Sequence, residues 1–309
     1  MEQVRGIVLR ARSGFYTVAL DAAGDPGVTL ECQLRGRVKR ERRSTDIAVI
    51  GDRVVLTPLP DGTGVIDDVE PRRSRFSRRQ PGPRGSWRED VLIANLDLLV
   101  AVFSCTHPEP KPRLIDRFLV VAEHNDVPAL VVANKIDLVG ATPAGGHAIF
   151  APYARLGYDV VYTSARHGIG VEELGARLSG RLSVVAGPSG VGKSTLLNAL
   201  QPGLKLATAD VSEALGKGRH TTSLAELHPV DGGYVADTPG IRELGLWQIP
   251  DLDLGWCFVE FRPHLGGCAF SDCRHIHEPR CAIRAAVAAG EISEARHDSY
   301  RRMLEGSPA

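Results

Sequence analysis

The segment GPSGVGKS, Gly187 to Ser194, constrains this 309-residue chain more than any other. It follows the apolar run Leu182–Ala186 and opens a helical pattern over Ser194–Leu200. A strand, a glycine-rich loop and a helix in that order let backbone amides curl around phosphate oxygens, with partial positive charge added by the helix N-terminus. The predicted phosphate-loop set is Gly187, Ser189, Gly190, Val191, Gly192, Lys193, Ser194 and Thr195. Lys193 is placed to reach the β- and γ-phosphates, and Ser194 to hold Mg²⁺.

Such a loop needs a sheet behind it. Apolar runs at Leu98–Phe103, Ala129–Ala133, Val160–Thr163, Leu182–Ala186 and Tyr234–Ala236 alternate with helical patterns at Leu114–Glu123, Val171–Leu178 and Ser194–Leu200. Continuous apolar strands alternating with amphipathic helices predict a parallel sheet covered on both faces. Ligands of such sheets bind beyond the carboxyl ends of the strands, so motifs that directly follow an apolar run carry the most weight.

Three further motifs do so. NKID, Asn134 to Asp137, follows the run at 129–133. The Asp137 carboxylate can accept hydrogen bonds from the N1–H and exocyclic amine of guanine; adenine has no donor at N1 and would leave it unpaired. Lys135 would pack along the base plane and Asn134 would tie loops together. Thr163, Ser164 and Ala165 follow the third run, and a backbone amide at Ser164 or Ala165 is placed to meet the guanine oxygen. DTPG, Asp237 to Gly240, ends the last run, with Asp237 near Mg²⁺ and the Gly240 amide near the γ-phosphate. Between the phosphate-loop helix and that strand lies GRHTT, where Thr221 or Thr222 would complete the Mg²⁺ shell; Thr222 is the chosen ligand and catalytic partner of Lys193.

The order is inverted. In ordinary GTPases the phosphate loop comes first and the base-reading motif late; here they fall at 187 and 134. Because the motifs are loops on one sheet edge, moving the chain ends leaves the site intact. The segment after DTPG then leads straight into the C-terminal region, which nucleotide state is expected to reposition.

Residues 1 to about 70 read as short strands at Arg5–Arg10, Tyr16–Leu20, Thr29–Leu34, Arg53–Pro58 and Gly64–Val69, separated by glycine-containing turns. Several short strands suggest a small barrel such as the oligonucleotide-binding OB-fold. Residues 71–90, rich in Arg, Pro, Gly and Ser, read as a linker or loop. The formal net charge is +0, but Arg35, Arg37, Lys39, Arg40, Arg42 and Arg43 form one basic run, and Arg72, Arg73, Arg75, Arg78 and Arg79 another. These keep nucleic acid open as a partner; the alternative is two solvated loops.

Near the C-terminus, Cys268, Cys273, His275 and Cys281 give C-x4-C-x-H-x5-C. Three thiolates and an imidazole suit a closed, structural, tetrahedral Zn²⁺ site, with His277 and Cys257 as alternative ligands. Such clusters suggest metal in a reducing compartment. With 43% apolar and 24% charged residues, no run of about twenty apolar residues and no secretion-signal pattern at MEQVRGIVLRARSG, the expected setting is the cytoplasm.

Together these residues resemble the ribosome small-subunit-dependent GTPase A (RsgA) family over nearly the whole chain. The order NKID–SA–GPSGVGKST–GRHTT–DTPG and the Cys/His cluster carry the resemblance, with GDRV at Gly51–Val54, ANLD at Ala94–Asp97 and DTPGIRELGL at Asp237–Leu246 in agreement. It implies a multidomain protein: an N-terminal OB-fold β-barrel (1–75), a basic linker (76–90), a central α/β circularly permuted P-loop GTPase domain (91–250) and a mainly helical zinc-binding C-terminal domain (251–309). It also implies GTP hydrolysis stimulated by the 30S subunit, late in that subunit's maturation, with 16S rRNA, GTP/GDP, Mg²⁺ and one structural Zn²⁺ as partners. No membrane association is expected, and a monomer is the default. Arg280 departs from the family, where glycine is frequent before the last cysteine.

Where many GTPases place a water-orienting glutamine after DxxG, this chain has Ile241, which predicts slow intrinsic turnover and help from a partner. His220, beside the two threonines, is the candidate for orienting water; the alternative is an exposed loop histidine. A second functional reading is a nucleotide-gated RNA-binding module whose hydrolysis is incidental.

Overall fold

The computed structural model describes residues 2–21, 28–36, 38, 48–81, 87–139, 147–204, 226–237, 249 and 251–306. Five strands, β1 (Val4–Arg12), β2 (Phe15–Leu20), β3 (Thr29–Leu34), β4 (Arg53–Pro58) and β5 (Thr63–Val69), close a barrel in the order β1-β2-β3-β5-β4. β1 pairs antiparallel with both β2 and β4, and only β3 and β5 run parallel. This is the five-stranded Greek-key barrel of the OB-fold. Val8, Val18, Cys32, Val54, Leu56, Ile66 and Val69 fill its interior.

Two segments of the stretch read as a linker, residues 75–81 and 87–94, are strands. β6 (Arg75–Pro81) and β7 (Trp87–Ala94) pair antiparallel as a two-stranded sheet. Phe76 and Ile93 are register partners and both fully buried, so one apolar face suffices to order a ribbon that otherwise reads as polar. The second basic run is also partly spent internally: Arg72 pairs with Asp52, Arg73 with Asp97 and Arg75 with Glu89. In the first run, Arg35 pairs with Asp67.

The central sheet has the order β10-β9-β8-β11-β13-β12, where β8 is Leu98–Ser104, β9 Ala129–Asn134, β10 Asp159–Thr163, β11 Leu182–Ala186, β12 Glu226–Val230 and β13 Gly233–Asp237. All neighbours are parallel except β12 against β13. Every residue of β8 is buried, and its side chains divide by parity. Leu99, Ala101 and Phe103 join the core under α1 (Pro112–His124) and α2 (His147–Arg155); Leu98, Val100 and Val102 join the core under α3 (Val171–Leu178) and α4 (Lys193–Leu200).

The barrel is built onto this sheet. Ile7, Ala19 and Ile50, which belong to the barrel segment, lie in the same buried cluster as Leu96, Leu182 and Leu227. The GDRV and ANLD segments form the joint. Gly51 holds φ +85, and a Cβ there would lie 2.2 Å from Ala94 O, so only glycine fits. Asn95 Nδ2 donates to Gly51 O at 3.0 Å while its Oδ1 accepts from Arg73 N at 2.8 Å. Arg72 grips the fully buried Asp52 with two bonds of 2.8 and 2.9 Å. Asp97 Oδ2 accepts from Leu182 N at 2.9 Å, at the first residue of β11. The barrel is therefore tied to the strand that delivers the phosphate loop.

The C-terminal region contains α5 (Asp251–Leu254), a 3₁₀ segment at Val259–His264, α6 (Ala282–Ala288) and α7 (Glu294–Leu304). Its core of Phe258, Phe261, Ile283, Ile292, Tyr300 and Leu304 includes Val120 of α1, so it packs against the helix layer of the central sheet. Among the described residues, no helix is long and apolar enough to cross a membrane.

Candidate nucleotide and metal sites

Parallel pairing of β10, β9, β8, β11 and β13 makes their carboxyl ends share one edge. NKID leaves β9, the Ser164–Ala165 segment leaves β10, GPSGVGKS leaves β11 and Asp237 ends β13, so all four exits lie on that edge. β9 and β11 flank β8 on its two sides.

Asn134 joins three of these exits. It is 2% exposed, and its Nδ2 donates to Val191 O in the phosphate loop at 2.9 Å. Its Oδ1 accepts from Thr163 Oγ1 at 3.0 Å and from Ala165 N at 3.3 Å. Lys135, at φ +65, donates from Nζ to His107 O at 2.5 Å and to Gly190 O at 2.7 Å. Burial, then Arg166, lowers its pKa from the ordinary lysine value. Asp137 sits in a 3₁₀ turn, Ile136–Leu138, with its side chain 18% exposed. The Ser164 amide donates to Ile169 O at 2.9 Å, closing the next loop.

In the phosphate loop, Gly192 is the N-cap of α4 with φ +98. A Cβ there would stand 2.5 Å from Asn134 Nδ2, so a side chain would both strain the backbone and break the tie to the base loop. Val191 is buried, whereas Ser189 and Gly190 are exposed. Lys193 Nζ donates to Gly187 O at 2.8 Å and Pro188 O at 2.7 Å, which folds its stem back over the loop. Ser194 and Thr195 open the first turn of α4. Of the Mg²⁺-side residues, Asp237 is placed by its backbone as the last residue of β13; Thr221, Thr222, His220, Gly240 and Ile241 lie outside the described residues.

The four cluster residues Cys268, Cys273, His275 and Cys281 bring one donor atom each within 4.8 Å of one another; His277 and Cys257 are not in this group. His275 Nδ1 lies 3.5 Å from Cys268 Sγ and 3.4 Å from Cys281 Sγ, and the two sulfurs are 3.9 Å apart. Tetrahedral ligands at Zn–S of about 2.3 Å and Zn–N of about 2.0–2.1 Å stand about 3.8 and about 3.6 Å apart, so the donor set fits Zn²⁺. Burial, helped by His297 and opposed by Glu278, sets the His275 imidazole below its ordinary pKa, as a neutral ligand needs. Burial and the neighbouring thiols push Cys273 up to about 12 without a cation.

The surrounding shell is ordered too. Glu278 collects the amides of Arg274, Ile276 and His277 at 3.1, 2.9 and 3.1 Å. Burial alone would raise its carboxyl; the amides outweigh it and hold it at about 2. From α7, His297 Nε2 meets His275 O at 2.8 Å and Tyr300 Oη donates to Arg274 O at 2.9 Å. Arg280 holds φ +54, the left-handed region, which explains why this loop position favours glycine. Arg280→Gly is expected to raise stability by up to about 1 kcal/mol; an unchanged or lower chemical-denaturation midpoint contradicts that strain.

A phosphate loop and an NKxD loop tied by one asparagine on one sheet edge define a P-loop GTPase, and their positions in the chain define a circularly permuted one. Comparison with known proteins agrees. Residues 69–247 match the RsgA GTPase family and residues 5–66 the RsgA N-terminal domain. The small ribosomal subunit biogenesis GTPase RsgA of Gemmatimonas aurantiaca is 45% identical over 303 residues, covering 97% of this chain and 96% of its own. The Geobacillus kaustophilus protein of the same name is 43% identical over 296 residues, covering 96% and 94%. The crystal structure of YjeQ from Thermotoga maritima superimposes with a TM-score of 0.80 at 37% identity, covering 98% of both chains. That of YloQ, a circularly permuted GTPase, gives 0.76 at 31%, covering 98% and 94%. The chain belongs to the RsgA family of circularly permuted GTPases.

Proposed function

We propose that this chain hydrolyses GTP in the cytoplasm as a biogenesis factor of the small ribosomal subunit, binding the 30S particle and its 16S rRNA late in maturation. The observation that carries the nucleotide part is the tie from Asn134 to Val191, which sets the base-reading and phosphate loops beside each other. In this reading Asp137 accepts from guanine, Lys135 and Asn134 hold the base loop, and the Ala165 amide meets the guanine oxygen in exchange for its long bond to Asn134 Oδ1, the Ser164 amide being held by Ile169 O. The amides of 187–195 and Lys193 bind phosphates; the Gly240 amide senses the γ-phosphate. Ser194, Thr222 and Asp237 would hold Mg²⁺, which neutralises charge developing on the phosphates when bound. Cys268, Cys273, His275 and Cys281 would hold one structural Zn²⁺. The ribosomal part rests on the names of relatives that match this chain end to end.

The test is GTP turnover with purified 30S, with 50S and with no ribosome. Slow turnover alone and acceleration by 30S only is the expected result; equal acceleration by 50S, or none by 30S, overturns the reading. If His220 orients water, His220→Ala lowers 30S-stimulated turnover by about a hundredfold with nucleotide and 30S binding intact.

A further inference from the structure

We propose that His167 is a positioning residue that competes with guanine for the Asp137 carboxylate, so that base discrimination weakens in acid. The inference rests on the base-reading role given to Asp137 above. His167 Nε2 lies 3.6 Å from Asp137 Oδ2. The loop that carries it is closed by Ser164 N to Ile169 O at 2.9 Å and His167 N to Ser164 O at 3.1 Å, which fixes its backbone beside the base-reading turn. Its side chain is 62% exposed and that of Asp137 18%.

Lys135 and Cys105 also act with Asp137. Lys135 has its Nζ committed to His107 O and Gly190 O. Cys105 is a buried thiol, pushed up to about 11 by burial and then by Asp137, so it stays neutral. Arg166, which acts on Lys135, is permanently charged. Histidine is the side chain whose charge changes between about pH 5 and 8.

Guanine uses both carboxylate oxygens, one for N1–H and one for the exocyclic amine. An imidazolium on Oδ2 claims one of them, and a neutral ring releases it. Hypoxanthine has N1–H but no exocyclic amine, so its nucleotides need a single oxygen and escape the competition. GDP and IDP share the same titrating phosphates, so the ratio of their affinities isolates the base.

The experiment is equilibrium binding of GDP and IDP to the full chain at about pH 5.5 and about pH 8. For an exposed ion pair, the GDP-to-IDP affinity ratio is expected to fall roughly two- to fivefold in acid. His167→Gln should keep the alkaline ratio at both pH values, and His167→Arg the acid ratio at both. A wild-type ratio independent of pH, or the same fall in His167→Gln, overturns the inference. If GDP binds no better than ADP at about pH 8, the base-reading role of Asp137 itself fails, and this inference with it.

Discussion

Asp137→Asn is expected to weaken GDP binding by about a hundredfold or more while strengthening binding of xanthosine diphosphate. The carboxylate offers two acceptors to two guanine donors, and hydrogen bonds to a charged group contribute about 1.5–3 kcal/mol each. Asparagine keeps one acceptor and turns an amine toward the exocyclic amine of guanine, so one bond is lost and two donors face each other. Xanthine carries a carbonyl at that position and accepts from the amine instead. The fold should be unaffected, because Asp137 lies in a surface 3₁₀ turn outside the buried clusters. Competition of GDP, XDP and ADP for a fluorescent nucleotide reads the effect. An unaltered order of preference contradicts base reading by this residue.

The second large effect concerns the C-terminal region. Arg296 of α7, with its side chain 6% exposed, donates from Nη1 to Asp116 Oδ1 of α1 at 2.6 Å. It also meets both oxygens of Glu260, at 2.6 and 3.1 Å. Tyr153 Oη donates to the same Asp116 oxygen at 2.8 Å, and the guanidinium lies 4.5 Å from the Phe258 ring centre. Arg262–Glu123 and Arg113–Asp298 add further pairs across the same junction. Arg296→Ala strands two buried carboxylates, which is expected to cost about 3–5 kcal/mol and to loosen α7 from α1. Urea unfolding with a probe on α7 measures it; a loss below about 1 kcal/mol contradicts the account. Replacing all three charged residues by apolar ones of similar volume should restore most of the stability, because the stranded charge, rather than the missing pair, carries the cost. Any repositioning of the C-terminal region by nucleotide must therefore leave this junction whole or break it at that cost.

What was legible in the sequence follows from how local each signal is. The phosphate loop, NKID and the barrel strands are contiguous patterns with their own turn and strand chemistry, and their elements appear where the periodicity puts them. The ribbon of β6 and β7 is not legible because Phe76, Val91 and Ile93, which are buried, are few in a stretch whose composition arginine and proline dominate. GDRV and ANLD were visible as words without a role; only the approach of Gly51 to Ala94 reveals a joint. Arg296, Asp116 and Glu260 are separated by up to 180 residues and follow no motif, so no reading of one segment finds them. The pairing of Arg72, Arg73 and Arg75 with acidic residues likewise escapes a count of charges, since net or local charge says nothing about partners distant in sequence.

One guanine nucleotide gripped at both ends by loops that occur in reverse chain order is the claim on which the rest depends. A crystal structure of the chain with Mg²⁺ and a non-hydrolysable GTP analogue tests it directly. The account predicts the base against Asp137 and the β- and γ-phosphates within the amides of 187–194 and at Lys193. A nucleotide whose phosphates fill that loop while its base lies away from Asp137 would contradict it.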